Sequence, residues 1–241
     1  MADIYAIWDQ KIEDPNVDKQ QLYNEMLERF NQDGQKDLNI CWRLVRICIV
    51  LADGYEKINN KNEAKKCIEK SFEHAKKAIE LDQNSMDAHK WYCAAVGRMA
   101  PLVGTKERIK FGHEFKEHRD IAVKIDSNDM IMHHMYGRWC FEVASLTFLE
   151  RKIAETFFAT PPKATYEDAL ESLKLADNLR HEWKLNHLWM AKVLIALKRY
   201  DQAIEWIDSG LALPTIGEED GISHLTLEGL EKSYAKYRAK K

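Results

Sequence analysis

HAKKAIELDQN at 74–84, HRDIAVKIDSN at 118–128, LKLADNLRHEW at 173–183 and WIDSGLALPTI at 206–216 are four versions of one ending. Each closes an apolar stretch of helical period, and small residues align at Ala78, Ala122, Ala176 and Gly210. The intervals between them are 44, 54 and 34 residues. A helix-turn-helix repeat of the tetratricopeptide kind has a period of about 34 residues. The last interval matches. The surplus of the other two has room in a loop around Pro101–Thr105 and in an extra helix at 149–158 followed by Pro161 and Pro162. A single helix pair cannot bury its apolar face, so successive pairs stack and share a core.

Working outward, the apolar spacing is helical almost everywhere. Cys41, Leu44, Val45, Cys48, Ala52 and Tyr55 fall three and four apart on one face, as do Ala203, Ile204, Ile207 and Leu211. The pattern predicts helices at 2–13, 18–33, 37–58, 62–81, 85–99, 105–125, 129–148, 149–158, 165–179, 183–198, 200–211 and 223–239. The expected fold is all-α: a tetratricopeptide-like α-solenoid of stacked antiparallel helix pairs with long insertions. It forms a single domain over 1–241, with N-terminal helices in 1–60, repeat-like pairs in 62–214, and a capping helix and basic tail in 215–241. Ser223 is the expected start of the cap, with Leu225, Leu227, Leu230 and Tyr234 as its apolar stripe.

Composition bounds the function. The chain has 241 residues, 31% charged and 45% hydrophobic, with 10 Gly and 5 Pro. That excludes collagen-like, low-complexity and membrane-spanning classes. Net charge is −3, so no global positive field draws nucleic acid. The five cysteines form no CxxC pair and read as small core residues of a reducing compartment. Asp3 and Asp9 stand where a leader would be basic, and the apolar run Ile47–Ala52 is too short to cross a bilayer. A cytosolic protein without a transmembrane anchor is expected.

Candidate chemistry is sparse. HEFKEH (113–118) places its histidines five apart, on different sides of a helix, so they read as surface residues and not as a metal site. His133 and His134, being adjacent, diverge on a helix. The sequence has no nucleophile elbow, phosphate loop or dinucleotide fingerprint, and implies neither enzyme activity nor a cofactor. Phe157 and Phe158 read as packing beneath a turn. More promising is the inner wall of the stack, lined by the first helix of each pair. Counting back from the small closing residues gives Lys90, Ala94 and Arg98, then His134, Arg138 and Glu142, then Leu188, Lys192 and Ile195. The expected partner-binding residues are Lys90, Arg98, His134, Arg138 and Lys192, a basic stripe suited to acidic peptide segments or phosphate. The tail EKSYAKYRAKK (231–241) adds Lys232, Lys236, Arg238, Lys240 and Lys241.

HKWY (89–92), GTKERIKFGHEFKEHRDIAVKID (104–126), HHMYGRWCFEVASL (133–146) and ERKIAETFFATPPKATYEDAL (150–170) together resemble the regulator of microtubule dynamics family. DLNICWRLVR (37–46) and LALP (211–214) extend the likeness to roughly 40–215. The resemblance implies a tetratricopeptide-like domain, association with microtubules or tubulin at the spindle and its poles, and a role in chromosome segregation. It also implies, as an alternative, a phospholipid-binding or lipid-transfer module acting between membranes, for which abundant aromatics could line an apolar cavity. It supplies no catalytic residue.

Overall fold

The computed structural model describes residues 3–157 and 163–238, the Glu218 side chain excepted. Two compact units divide the chain at Ser127 and Asn128. The first contains α1 (Ile4–Glu13), α2 (Lys19–Gln32), α3 (Leu38–Lys57), α4 (Lys61–Leu81), α5 (Met86–Met99) and α6 (Thr105–Ile125). The second contains α7 (Met130–Ala144), α8 (Phe148–Phe157), α9 (Tyr166–Leu179), α10 (Lys184–Ala196), α11 (Tyr200–Ala212) and α12 (Gly217–Tyr234). Both units are built from antiparallel helix pairs.

Local chemistry sets the boundaries. Asp18, Asp37, Ser85, Asp129 and Thr165 each accept a backbone N–H of the turn they precede. The turns inside pairs repeat one another. Asn59 between α3 and α4, and Lys198 between α10 and α11, both have positive φ (57° and 60°). The next N–H, of Asn60 or Arg199, reaches back to the carbonyl of Tyr55 or Leu194, a left-handed helix ending. The similar endings quoted above close second helices: α4 stops at Asp82 and α6 at Asp126, both extended.

The packing follows the tetratricopeptide rule. In the first unit α1 packs on α2, α2 on α3, and α1 on α3; α3 packs on α4, α4 on α5, and α3 on α5; α5 then packs on α6. In the second, α7 packs on α9, α9 on α10, and α7 on α10; α10, α11 and α12 repeat the triangle. The first sixty residues are therefore not a separate layer. α3 is the first helix of a pair with α4, and α1 with α2 forms an earlier pair. The insertion expected at 149–158 is α8, lying in sequence between α7 and its partner α9.

Two boundaries differ from the sequence pattern. The helix expected over 129–148 ends at Ala144, because Thr147 and Glu150 form a reciprocal cap that starts α8: Glu150 accepts from the Thr147 N–H (2.8 Å), and Thr147 Oγ1 from the Glu150 N–H (3.3 Å). The cap helix begins at Gly217, whose φ of 76° turns the chain, and Asp220 accepts the Ile216 N–H at 3.0 Å. Its inner face is Ser223, Leu227, Leu230 and Tyr234. Leu225, expected among them, is 70% exposed.

The cores are apolar but pinned by polar groups. Trp8, Met26, Phe30, Leu44 and Ile47 centre the first unit, and Leu188, Ile204, Ile207 and Leu227 cluster in the second. All five cysteines are buried thiols. Burial pushes the Cys41 and Cys48 thiols up to about 12, which suits inert packing. His134 Nδ1 lies 2.9 Å from Asn186 Oδ1, and Asn186 Nδ2 donates to the Leu173 carbonyl at 3.0 Å, tying α7, α10 and α9. Lys184, 1% exposed, directs its ammonium to the Leu213 carbonyl (2.9 Å), Thr215 Oγ1 (2.8 Å) and His224 Nδ1 (3.2 Å). His118 is not a surface histidine either. It stacks on Tyr92 with centroids 3.9 Å apart, and its Nδ1 is 2.7 Å from that of His89. His89 Nε2 donates to the Gln83 carbonyl, so His118 is the donor of the pair.

Close approach leaves no room for a side chain at Gly137. A Cβ at Gly137 of α7 would lie 2.6 Å from Leu173 Cγ and 3.1 Å from the Ala169 carbonyl on α9. Gly137→Ala should lower stability by about 1–3 kcal/mol in denaturant melts. Gly97→Ala, where nothing lies within 4 Å, should be neutral or stabilising by up to about 1 kcal/mol.

The buried histidines predict acid sensitivity. Burial holds His74 down to about 4 and His134 down to about 3, with Arg138 reinforcing the latter. His118 is lowered to about 4 by burial and by His89. Below pH ~6.5 the unfolded chain therefore binds protons that the folded chain refuses. Stability should be flat above pH ~6.5 and fall between pH ~6.5 and ~4.5, with His74 and His134 together approaching about 3 kcal/mol per pH unit. His118, more open to solvent, adds less. Denaturant melts across that window should show the slope, and His134→Gln should flatten it.

Candidate functional site

The expected basic stripe divides between the two units. In the second unit α7 and α10 are first helices in contact, and they carry His134, Arg138 and Lys192. His134 is 2% exposed and lies face-tilted against Trp183 with centroids 4.4 Å apart. It is a core residue and cannot touch a partner. Leu188, also expected on the wall, is buried in the α10–α11–α12 cluster.

Arg138 and Lys192 do meet. The Arg138 guanidinium lies 4.8 Å from the Trp189 ring centroid and the Lys192 ammonium 4.5 Å from it. Trp189 itself is buried and edge-on to Phe141, so the indole is a fixed platform whose π-electrons attract both cations. Arg138 is exposed, as is Glu142 one turn further along α7. Burial first, and Arg138 second, lower the Lys192 ammonium below its ordinary value, and Glu142 opposes them. Two like charges lie against one indole ring, Lys192 in a partly desolvated position. An arriving carboxylate or phosphate would relieve their repulsion.

In the first unit the cations are compensated internally. Lys90 lies 2.9 Å from Asp87 on its own helix. Arg98 on α5 reaches Asp53 (2.9 Å) and Glu56 (3.0 Å) on α3, so it bridges two neighbouring first helices. Sequence reasoning missed a larger network beside them. Asp9 of α1 takes Arg43 at 2.6 Å and Arg46 at 3.0 Å from α3, and Arg46 also pairs with Glu13. Arg43 lies over Trp42 at 3.9 Å, and Trp42 stacks parallel to Trp91 at 6.2 Å. The signal was present: two arginines inside the apolar run CWRLVRICIV (41–50) demand buried partners.

The basic tail folds back along the second unit. Arg238 donates to Asp208 Oδ1 on α11 at 2.7 Å and to Glu231 at 3.1 Å. Tyr237 stacks on Tyr200 at 4.2 Å. Lys232 and Lys236 are exposed, and Lys236 lies 5.1 Å from the Tyr237 centroid. Lys240 and Lys241 lie outside the described residues, as do Phe158, Pro161 and Pro162. Phe157 is 52% exposed at the end of α8, not packed beneath a turn.

Aromatics that could have lined an apolar cavity are packed instead: Trp8, Trp42, Trp139, Trp183 and Trp189 are buried. A shallow, open depression runs along α2, lined by Asn24, Leu27, Glu28, Asn31 and Gln32. Among the described residues no helix is long and apolar enough to cross a membrane.

Comparison with known proteins agrees with this architecture. A thermophilic TPR protein of Thermus thermophilus superposes with a TM-score of 0.59 over 90% of this chain and 91% of its own, at 12% identity. That likeness concerns the fold alone. Regulator of microtubule dynamics protein 3 of Rattus norvegicus is 33% identical over 79% of this chain, which spans 40% of that protein. Regulator of microtubule dynamics protein 1 of Caenorhabditis elegans is 30% identical over 81% of this chain and 85% of its own length. The model of the Regulator of microtubule dynamics protein 1-3 family matches residues 4–235, nearly the whole sequence, and the chain belongs to that family.

Proposed function

We propose that this chain is a non-catalytic, microtubule-associated adaptor acting in the cytoplasm at the spindle and its poles during chromosome segregation. It holds acidic segments of tubulin, or of proteins that join it to microtubules, against the α7–α10 face of its second unit. The observation that carries the reading is the pair of cations on Trp189, 4.8 and 4.5 Å from one ring. Family membership supports the microtubule as the setting. Arg138 supplies a planar fork for a carboxylate and Lys192 a point charge beside it. Lys232 and Lys236, both exposed, provide weaker, longer-range attraction. Arg98 and Lys90, each engaged with carboxylates of its own unit, have a structural role in this reading.

Co-sedimentation with polymerised tubulin across a salt series tests it. Binding should be strongest at low ionic strength and fall as exposed charges are screened. Arg138→Glu combined with Lys192→Glu should weaken it by about tenfold or more, roughly 1.4 kcal/mol, with an unchanged melting curve. Failure of the wild-type chain to pellet at low salt, or equal pelleting of the double variant, overturns the proposal.

A further inference from the structure

The ammonium of Lys184 and the imidazole of His224 make a contact that only one protonation state allows. Lys184 is the first residue of α10 and is 1% exposed. Its three N–H donors go to the Leu213 carbonyl at 2.9 Å, Thr215 Oγ1 at 2.8 Å and His224 Nδ1 at 3.2 Å. Leu213 and Thr215 lie in the segment between α11 and α12, and His224 lies on α12. One side chain of α10 therefore ties down the cap helix and the chain that leads into it. None of the three acceptors is a carboxylate. An ammonium donates and cannot accept, so His224 accepts, and its Nδ1 carries no proton in this arrangement. The proton of the neutral ring is on Nε2, which lies 3.8 Å from Glu228 Oε1 on the next turn of α12.

A proton on Nδ1 undoes the contact. The third N–H of a buried ammonium loses its acceptor, and two cations face each other at 3.2 Å, both of them unfavourable away from water. Glu228 does not cancel the effect. It shares α12 with His224, so it favours the protonated ring whether the helix is docked or released, whereas Lys184 opposes that ring only in the docked state. The other elements packed on α12 bring no further charge into contact with His224. On α10, His187 turns to Asp177 at 3.1 Å. On α11, Asp208 holds Arg238. The turn Ala235–Tyr237, with Lys236, lies beyond the end of α12, about three helical turns from His224. The His224 side chain is 32% exposed, so a proton reaches it without unfolding the unit. His134, enclosed in the core, offers no such access.

We infer that Lys184, Thr215 and His224 form a proton-sensitive latch, closed on α12 at neutral pH and opened when His224 takes up a proton. Release of α12 withdraws Leu227 from Leu188, Ile204 and Ile207 and uncovers them. The second unit thus ends in its cap helix at neutral pH and in an apolar face in acid. Because the docked state binds the proton less readily than the released state, opening takes up a proton and rises with acidity, by at most about tenfold per pH unit.

Hydrogen exchange of the full chain, followed by mass spectrometry from pH ~8 to ~5 and corrected for the intrinsic rate, covers the range in which an imidazole changes charge. Exchange of α12 amides should accelerate relative to those of α9 by about tenfold or more across that range. His224→Asn places Oδ1 where Nδ1 stood, an acceptor that takes no proton. It should keep the slow exchange of α12 at neutral pH and abolish the acceleration. Lys184→Met removes the opposing charge, so α12 should be looser at every pH and lose its acid response. General acid destabilisation through His134 moves α9 and α12 together and does not imitate the latch. An α12 whose exchange follows that of α9 through the whole range, or a His224→Asn chain as acid-responsive at α12 as the wild type, overturns the inference. Arg138 and Lys192 take no part in the latch, so the tubulin reading keeps its own test.

Discussion

The stacked helices here close on positions where one of them lacks bulk at the crossing. Ala78, Ala122 and Ala176 are fully buried on α4, α6 and α9, and Gly210 holds the same place on α11. At Gly210 a Cβ would stand 2.7 Å from Leu227 on the cap helix and 3.2 Å from His187 Cβ on α10. Gly137 makes the same allowance from the first-helix side. With backbones this close, ridges interlock along the helix length, and the register of one helix fixes that of the next. The repeated turns at Asn59 and Lys198 are a consequence: three-residue connections suffice between helices already held near one another.

Close packing also explains where polar groups went. A first helix touches both the second helix of its own pair and the next first helix, so little of its circumference reaches solvent. His134 and Lys184 fall on the enclosed arcs of α7 and α10; Asn186 engages His134 through Nδ1 alone, and a carbonyl, a hydroxyl and an imidazole surround the Lys184 ammonium. Such groups are costly to leave unpaired, so they specify one alignment of helices where apolar contacts alone would tolerate slippage. On the remaining open arcs Arg98 spans α5 and α3 to two carboxylates, and Arg138 and Lys192 converge on an indole.

Much of this was legible in the sequence. Helix order, the small residues at crossings and the extra helix before α9 follow from spacing, because apolar period and side-chain size are local properties. The helix break expected between 148 and 149 falls earlier, at Ser145–Thr147, because its cap, Thr147 with Glu150, lies inside an otherwise periodic run, and a hydrogen-bonded cap overrides apolar continuity. Counting back from a closing small residue assumes equal pair lengths, and α8 separates α7 from α9, so the count reached the exposed Arg138 but also drew in the core residue His134. On α10 it chose Leu188 and passed over Trp189 beside it. One residue of helix is about 100° of rotation, enough to exchange a wall residue for a core one. The same 100° arithmetic misplaced Leu225: two positions from Leu227, it stands on the opposite side of α12.

Placing two cations beside one tryptophan ring has a physical consequence that scattered surface lysines lack. The ring excludes water from one side of each charge, and burial first and Arg138 second lower the Lys192 ammonium. The indole's attraction offsets part of that cost, and an anion placed between the two relieves both charges at once. An anion bound there meets a lower effective dielectric than at an open surface, so the same pair of charges attracts it more strongly. Glu142 is a competing charge, since it already favours protonated Lys192. In the proposed role a ligand with more than one negative charge would therefore hold better than an isolated carboxylate, because it can face Arg138 and Lys192 together.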